Sequence, residues 1–168
     1  MGKRWPLALN LWLSLIDMPL DQRFIALAGL VLLATFIGLV LMAKSGKARR
    51  IKNGEQVDLS AISAIKNGNP ITKFGEKVTL LQFSSNFCSS CQQTSNLLES
   101  IEKSQKGLLH IDQDITERLD LAQTFGILKT PTTLVLDPKG IVISRIVGAP
   151  KQATIEAEIE RLVNNYSK

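Results

Sequence analysis

The sequence is poor in the residues that hold metals or cross-link small folds. Its 168 residues include two cysteines and one histidine. Two cysteines can form at most one disulfide, which excludes a scaffold built on several bridges. A structural zinc site needs about four Cys or His ligands, more than the chain contains. We therefore expect no metal and no other cofactor.

The signature of a nucleic-acid-binding protein is also missing. The formal charge is +5, but it is unevenly distributed. Residues 1–52 carry eight Lys or Arg and two Asp, a net +6, whereas residues 53–168 have a net charge of −1. No basic segment is interleaved with aromatic residues, so we expect no nucleic-acid partner. The residues after Lys52 are numerous enough for one hydrophobic core.

The two cysteines, Cys88 and Cys91, are separated by two residues and follow an apolar segment, Val78–Phe83. That segment is typical of a buried strand. Beyond the cysteines, apolar residues recur at helical spacing between Leu97 and Ile101. The pattern predicts that Cys88 lies where a strand ends and a helix begins.

A cysteine at a helix N-terminus is well placed for thiol chemistry. The N–H groups there stabilise a thiolate, so the pKa of Cys88 can fall below that of an ordinary cysteine thiol. Cys91, one turn later, can close a disulfide with Cys88, and a loop this short adds little stability. Such a bridge suits disulfide exchange. Half of a metal site, a structural disulfide and two idle thiols remain alternatives.

A membrane anchor is predicted over residues 24–43. Phe24–Ala43 is a run of 20 residues without a charge, long enough to cross the hydrocarbon layer as a helix. No A-x-A cleavage site follows the run, so an uncleaved anchor is favoured over a signal peptide. Residues 1–23 form an apolar segment, in which 5–16 with Trp5 and Trp12 are too short to span and are predicted to lie at the interface.

Flanking charges predict the orientation of this single-pass anchor. Five cations follow the span and three precede it, the latter partly offset by two aspartates. The positive-inside rule then places the C-terminal domain in the cytoplasm. An extracytoplasmic domain is the alternative, and it would follow if residues 5–16 also crossed the membrane. Met18 is an alternative start that would strengthen the cytoplasmic assignment.

The remaining chain reads as a basic linker, 44–54, followed by one α/β domain, 55–168. A β-α-β unit is followed by an antiparallel hairpin around a turn at Asp137–Gly140, and a final helix closes the chain. The predicted strands are Glu55–Leu59, Val78–Phe83, Leu108–Asp112, Thr132–Leu136 and Ile141–Val147. The predicted helices are Ser60–Lys66 with Ser60 as N-cap, Cys88–Lys103, Ile115–Phe125 and Lys151–Asn164.

This domain resembles the thioredoxin-like family over roughly Val57–Val163. The resemblance rests on the C-x-x-C motif, on Leu109–Gln113, on Thr130-Pro131-Thr132 and on Val147-Gly148-Ala149. It implies a thioredoxin-like fold, with a central mixed sheet flanked by helices. The N-terminal anchor makes the chain similar to bacterial membrane-tethered members of the family.

The resemblance also implies roles for individual residues. Cys88 corresponds to the attacking thiol and Cys91 to the resolving thiol. Pro131 corresponds to a cis-proline beside the disulfide, and Thr130 before it can pair with an extended substrate. Phe87 is expected to contact substrate as well. The implied partners are proteins carrying thiols or disulfides, together with an unknown electron donor or acceptor.

The chain departs from the family pattern at positions that matter for catalysis. Gln82 stands where a buried aspartate is expected, and Leu108 replaces a lysine on the next strand. Phe87 replaces a tryptophan, and Ser89-Ser90 replaces Gly-Pro. Glutamine cannot accept or release a proton. We therefore expect slow exchange with a dedicated partner, and the alternative function is a binding or assembly module with dispensable thiols. A catalytic role for His110 is not expected.

Overall fold

The computed structural model describes residues 20–51 and 54–166. The predicted interfacial segment 5–16 and the alternative start at Met18 lie outside the described residues. The chain divides into two compact units, Met1–Lys44 and Ser45–Lys168, and each is described separately.

The described part of the first unit is one helix, α1, Leu20–Lys44. Its large apolar side chains from Phe24 to Val40 are exposed, as is that of Met42; Phe24 is 67% exposed and Met42 is 77% exposed. When only the positions with described side chains are considered, no helix is long and apolar enough to span a membrane.

The second unit is built on a five-stranded mixed sheet in the order β1-β7-β6-β4-β5. Strand β4 is central and buried along its whole length. It pairs in parallel with β5 and antiparallel with β6, which in turn forms a hairpin with β7. The predicted parallel pair and hairpin are thus confirmed. The strands are β1 Ala48–Arg50, β4 Val78–Ser84, β5 Leu108–Asp114, β6 Thr132–Leu136 and β7 Val142–Val147.

Helices cover both faces of this sheet, as predicted. On one face, α3 (Ser89–Ser104) and α5 (Gln152–Tyr166) bury a cluster that includes Leu80, Leu98 and Ile159. On the other face, the short helices α2 (Leu59–Ile62) and α4 (Leu119–Thr124) accompany a second cluster. That cluster contains Ile62, Leu81, Phe83, Leu121 and Leu134 among others. Alternating side chains of β4 therefore enter two different cores.

Three residues of the expected linker belong to the sheet. Strand β1 pairs antiparallel with β7, with Ala48 opposite Ile146 and Arg50 opposite Ser144. The sequence of β1 carries no strand signal of its own. The strand is therefore determined by its tertiary contact with β7, whose edge would otherwise carry unpaired backbone groups.

The segment 55–70 differs from its prediction. Residues 55–59 form no strand and contribute an isolated bridge between Gln56 and Ile141. Asp58, and not Ser60, caps α2: its Oδ1 accepts from the backbone N–H of Ser60 at 2.8 Å. The helix ends at Ile62, well before the predicted end at Lys66. A short hairpin of β2 (Ile65–Lys66) and β3 (Asn69–Pro70) follows.

The helix predicted over Ile115–Phe125 is shortened to Leu119–Thr124. The backbone N–H of Ile115 donates to Ser84 O at 3.0 Å, which holds the start of this segment as a loop. Leu119, the first residue of this helix, is 71% exposed. Leu121 occupies the core instead.

Candidate active site

Cys88 and Cys91 are joined by a disulfide across the first turn of α3, with their Cα atoms 5.2 Å apart. Cys88 is the N-cap of the helix, and Cys91 lies one turn inside it. Strand β4 ends at Ser84, so only a short loop separates the central strand from the disulfide. The predicted position at a strand-to-helix junction is confirmed.

The two cysteines differ in their access to solvent. Cys88 is half-buried, whereas Cys91 is 3% exposed and packs beneath the helix terminus. The disulfide therefore joins a partly accessible residue to an almost completely buried one.

Hydrogen-bond donors surround the sulfur of Cys88. The backbone N–H of Cys91 donates to it at 3.1 Å, and the hydroxyl of Ser90 lies 3.3 Å away. These groups lie at the N-terminus of a 16-residue helix, where the helix dipole also favours negative charge. The surroundings suit a thiolate on Cys88 once the disulfide has opened.

Gln82 lies beneath Cys91 on the central strand and is completely buried. Its amide nitrogen donates to the backbone carbonyl of Cys91 at 3.0 Å. Its carbonyl oxygen is buried without a hydrogen-bond partner. Leu108 begins β5 opposite Val78. Neither Gln82 nor Leu108 can carry a proton to or from Cys91.

The loop before β6 lies beside the loop that carries the cysteines. The Thr130–Pro131 peptide bond in this loop is cis. The hydroxyls of Ser85 and Thr130 are 3.3 Å apart. The backbone N–H of Gly148 donates to Pro131 O at 2.7 Å and ties the loop to the end of β7.

Two apolar side chains are exposed on these loops. Phe87, next to Cys88, is 97% exposed. Leu128, two residues before Thr130, is 99% exposed. Phe87 is among the site residues predicted from the sequence, whereas Leu128 is not, because no local pattern distinguishes it. Each of the two adjoining loops therefore exposes one large apolar side chain to solvent.

A surface cleft adjoins the disulfide on the side of β5. Its lining includes Ser84, Asp112 and Asp114 together with both cysteines. None of these three polar residues is among those predicted from the sequence. The available signal was their position, because the carboxyl ends of parallel neighbouring strands meet at one edge of a sheet.

His110 lies outside this site. It is 2% exposed on β5, and its Nε2 has no hydrogen-bond partner. Burial lowers the pKa of His110 below its usual value of 6.5. Within 20–51 and 54–166, no group of three or more His, Cys, Asp or Glu is arranged to hold a metal ion.

The chain is similar to known proteins over the domain that carries this site. The profile of the thioredoxin-like domain matches residues 69–162, more than half of the chain. A thioredoxin from Listeria monocytogenes is 27% identical over 93 residues, and one from Bacillus subtilis is 28% identical over 92. Each alignment covers 54% of this chain and 84% of the relative. A crystal structure of a thioredoxin from Nicotiana alata is 26% identical with a TM-score of 0.47, covering 52% of this chain and 74% of that one.

The profile match begins with β3 and ends at Leu162 within α5, and it contains both cysteines and the cis-proline loop. The chain therefore belongs to the thioredoxin-like domain family, and its enzyme class is thiol–disulfide oxidoreductase.

Proposed function

We propose that the protein is a membrane-anchored thiol–disulfide oxidoreductase that exchanges disulfides with partner proteins through Cys88 and Cys91. The observation that carries the proposal is their disulfide across the first turn of α3, which joins a half-buried residue to a buried one. A structural bridge needs no such difference in access, whereas exchange does.

In the reducing direction, the thiolate of Cys88 attacks one sulfur of the partner's disulfide. That bond breaks, the partner's other sulfur leaves as a thiolate, and a mixed disulfide joins Cys88 to the partner. The thiolate of Cys91 then attacks the Cys88 sulfur and releases the partner's second thiol. In the oxidising direction, the same steps run backwards. A second partner, a dithiol or disulfide protein, restores the starting state.

Thr130, Pro131 and Phe87 are proposed to hold the partner during exchange. The contact between Ser85 and Thr130 places this loop beside the cysteines, and Phe87 offers an almost fully exposed aromatic ring next to Cys88. Aromatic rings provide large contact areas at protein interfaces. An extended segment of the partner would lie between these residues.

The identity of Gln82 favours exchange with few substrates over general reduction of many proteins. No carboxylate occupies its buried position, so Cys91 lacks a proton acceptor there. We propose that exchange is slow with general substrates and faster with a dedicated partner, whose binding compensates by holding the reacting sulfurs together.

The membrane anchor is proposed for residues 24–43. The sequence there is an unbroken run of 20 uncharged residues. Within α1, large apolar side chains such as Leu30 and Phe36 are 66% and 65% exposed. An exposed apolar surface of this extent is typical of a membrane or protein contact. Alkaline carbonate extraction of membranes tests the anchor: the chain should stay in the pellet, and recovery in the supernatant would contradict the proposal.

The domain is proposed to face the cytoplasm, with the opposite side as the alternative. The support is the excess of cations after the span. Those cations are Lys44, Lys47, Arg49, Arg50 and Lys52. The test uses a chain with both natural cysteines changed to Ser and one cysteine added near Lys168. An impermeant thiol reagent should label it only after lysis, and labelling of intact cells would place the domain outside.

Trapping tests the exchange itself. The full chain with Cys91→Ser should accumulate a mixed disulfide with its partner, visible as a larger species on non-reducing gels that dithiothreitol removes. The matched control, Cys88→Ser, should give none, because the attacking sulfur is gone. Full exchange activity in Cys88→Ser would overturn the roles assigned to the two cysteines.

Gln82 and Leu108 also favour a second candidate, a thioredoxin-like binding or assembly module whose thiols are dispensable. Neither side chain can carry a proton during exchange. Complementation of a deletion strain separates the two functions. Growth supported by the chain with both Cys88→Ser and Cys91→Ser would favour the binding module, and failure of that chain at normal expression would favour the enzyme.

A further inference from the structure

We propose that Gln82 is a positioning residue for Cys91: its side-chain carbonyl accepts a hydrogen bond from the Cys91 thiol when the disulfide opens, and so favours the dithiol form. The inference rests on the proposed function, because it concerns the redox pair that carries the exchange.

The orientation of the Gln82 side chain is set by its contact with Cys91. The amide nitrogen lies 3.0 Å from the backbone oxygen of Cys91. A backbone carbonyl only accepts, so the atom facing it must be the donating NH2 group, and the carbonyl Oε1 must point elsewhere. The carboxamide is thus fixed against the residue whose sulfur changes state.

The Oε1 atom of Gln82 is buried without a partner while the disulfide is closed. The residue is completely buried, so bulk water does not reach it. Neither sulfur of a disulfide carries a hydrogen, so the oxidised pair cannot donate to Oε1. A buried polar atom without a partner disfavours the state in which it occurs, and here that state is the oxidised one.

Reduction creates the missing donor at Cys91. A partner dithiol supplies two electrons: the Cys88–Cys91 bond breaks and the partner's own disulfide forms. Of the two protons that leave the partner, one ends on Cys91 and the other on Cys88 or in solvent. The new S–H of Cys91 is a weak donor on a residue that is 3% exposed. It is therefore shielded from water, and it belongs to the residue whose backbone oxygen the Gln82 carboxamide contacts.

Cys88 does not compete for this acceptor. Its sulfur is the N-cap group of α3, where it accepts from the backbone N–H of Cys91 and lies beside Ser90. It belongs to a half-buried residue at the cleft. Gln82 consequently acts on one of the two sulfurs, the one assigned to the resolving step.

The first test is the redox equilibrium of the purified full chain in glutathione buffers, read by the fraction of disulfide. Gln82→Met keeps a long side chain and removes both amide groups. We expect it to lower the equilibrium constant for reduction about three- to tenfold, which is a potential more negative by about 15–30 mV. The matched control is Ser144→Ala, which removes another buried, unpartnered oxygen from the same sheet on β7 and should leave the equilibrium unchanged.

The second test reads the hydrogen bond itself, and its first measurement keeps Gln82 and so does not depend on whether Gln82→Met folds. In the full chain with Cys88→Ala, Cys91 is the sole thiol. Its infrared S–H stretch should lie below that of a thiol without a hydrogen bond, and adding Gln82→Met should raise it.

A wild-type redox equilibrium in Gln82→Met, or an S–H stretch at the frequency of a thiol without a hydrogen bond, would overturn the inference. Either result leaves the exchange function standing, because glutathione still opens and closes the pair. A pair that glutathione cannot reduce would instead contradict the proposed function itself.

Discussion

Ser84 donates a hydrogen bond to Asp112 across two parallel strands, with 2.5 Å between Oγ and Oδ1. The two residues lie near the carboxyl ends of β4 and β5, in the lining of the cleft that contains the cysteines. Asp114 lines the same cleft. The cleft therefore places acidic side chains in the same lining as Cys88. Under the proposed function, their negative charge disfavours a thiolate on Cys88 and so opposes the effect of the helix N-terminus.

The first prediction concerns this opposition. Asp112→Asn should raise the rate of Cys88 alkylation in the reduced chain at pH 7 about two- to threefold, because one negative charge no longer repels the thiolate. The increase should shrink at high salt, which screens the interaction. The matched control is Glu156→Gln, a change of equal charge on the remote helix α5, which should leave the rate unaltered. A slower reaction in Asp112→Asn would contradict the electrostatic reading of the cleft.

The second prediction concerns the order in which the two thiols react. In the reduced wild-type chain, limited iodoacetamide should modify Cys88 at least about tenfold faster than Cys91, because Cys88 is half-buried and beside donors while Cys91 is buried. Peptide mapping by mass spectrometry measures both rates in one sample. Equal rates would contradict the prediction, and faster labelling of Cys91 would reverse the assignment of the attacking thiol.

The third prediction concerns the pH dependence of stability. Burial lowers the pKa of His110 below 6.5, an effect that Lys66 reinforces and that Asp112, Glu102 and Glu99 oppose. The unfolded chain therefore binds a proton more readily than the folded chain. The contribution of neutral His110 is complete above about pH 6.5 and is lost as the pH falls towards its folded pKa, with a slope of at most about 1.4 kcal/mol per pH unit.

Hydrogen exchange of the β4 and β5 amides between pH 7.5 and 5.5 measures this slope, after correction for the intrinsic rate. His110→Gln should flatten it. Because His110 is the only histidine in the sequence, no other histidine can replace its contribution. An unchanged slope in His110→Gln would show that burial does not perturb this group.

The fourth prediction concerns the ion pair between Lys66 and Glu102. The Lys66 ammonium lies 2.5 Å and 2.6 Å from the two carboxylate oxygens and also donates to the backbone oxygen of His110. The side chains are only 30% and 18% exposed. Glu102→Gln should lower the free energy of unfolding by about 1–3 kcal/mol, because it leaves a charged donor without its counter-charge.

A second ion pair provides the control for this experiment. Glu99 and Lys103 lie on the same helix at 3.8 Å and are 49% and 78% exposed. Glu99→Gln should change the free energy of unfolding by less than about 0.5 kcal/mol. Urea titrations of the two variants, followed by circular dichroism, test the difference. Equal losses would show that burial does not set the strength of the Lys66–Glu102 pair.

The central elements of the domain could be predicted because their signals are local. The apolar run Val78–Phe83 predicts β4, the C-x-x-C motif predicts the disulfide, and the apolar positions at helical spacing predict α3. None of these predictions needs a contact with a distant part of the chain. The turn at Asp137–Gly140 predicts the hairpin in the same way: Oδ1 of Asp137 accepts from the backbone N–H of Lys139 and Ile141.

The segment between β1 and β3 could not be predicted on this basis. Strand β1 forms by pairing with the edge strand β7. Helix α2 begins after Asp58 because its side chain accepts a hydrogen bond from the backbone N–H of Ser60. Short elements such as these gain little from intrinsic propensity, so distant partners determine their bounds.

The sequence alone therefore determined the redox motif, the family and the sheet that presents the motif, since these depend on residue identity and spacing along the chain. Only the tertiary structure decided which cysteine is buried, that Gln82 contacts Cys91 with one oxygen unpaired, and that Ser84 and Asp112 line the same cleft. The physical reason is that burial and hydrogen bonding depend on strand register and helix packing, which bring together residues distant in the chain.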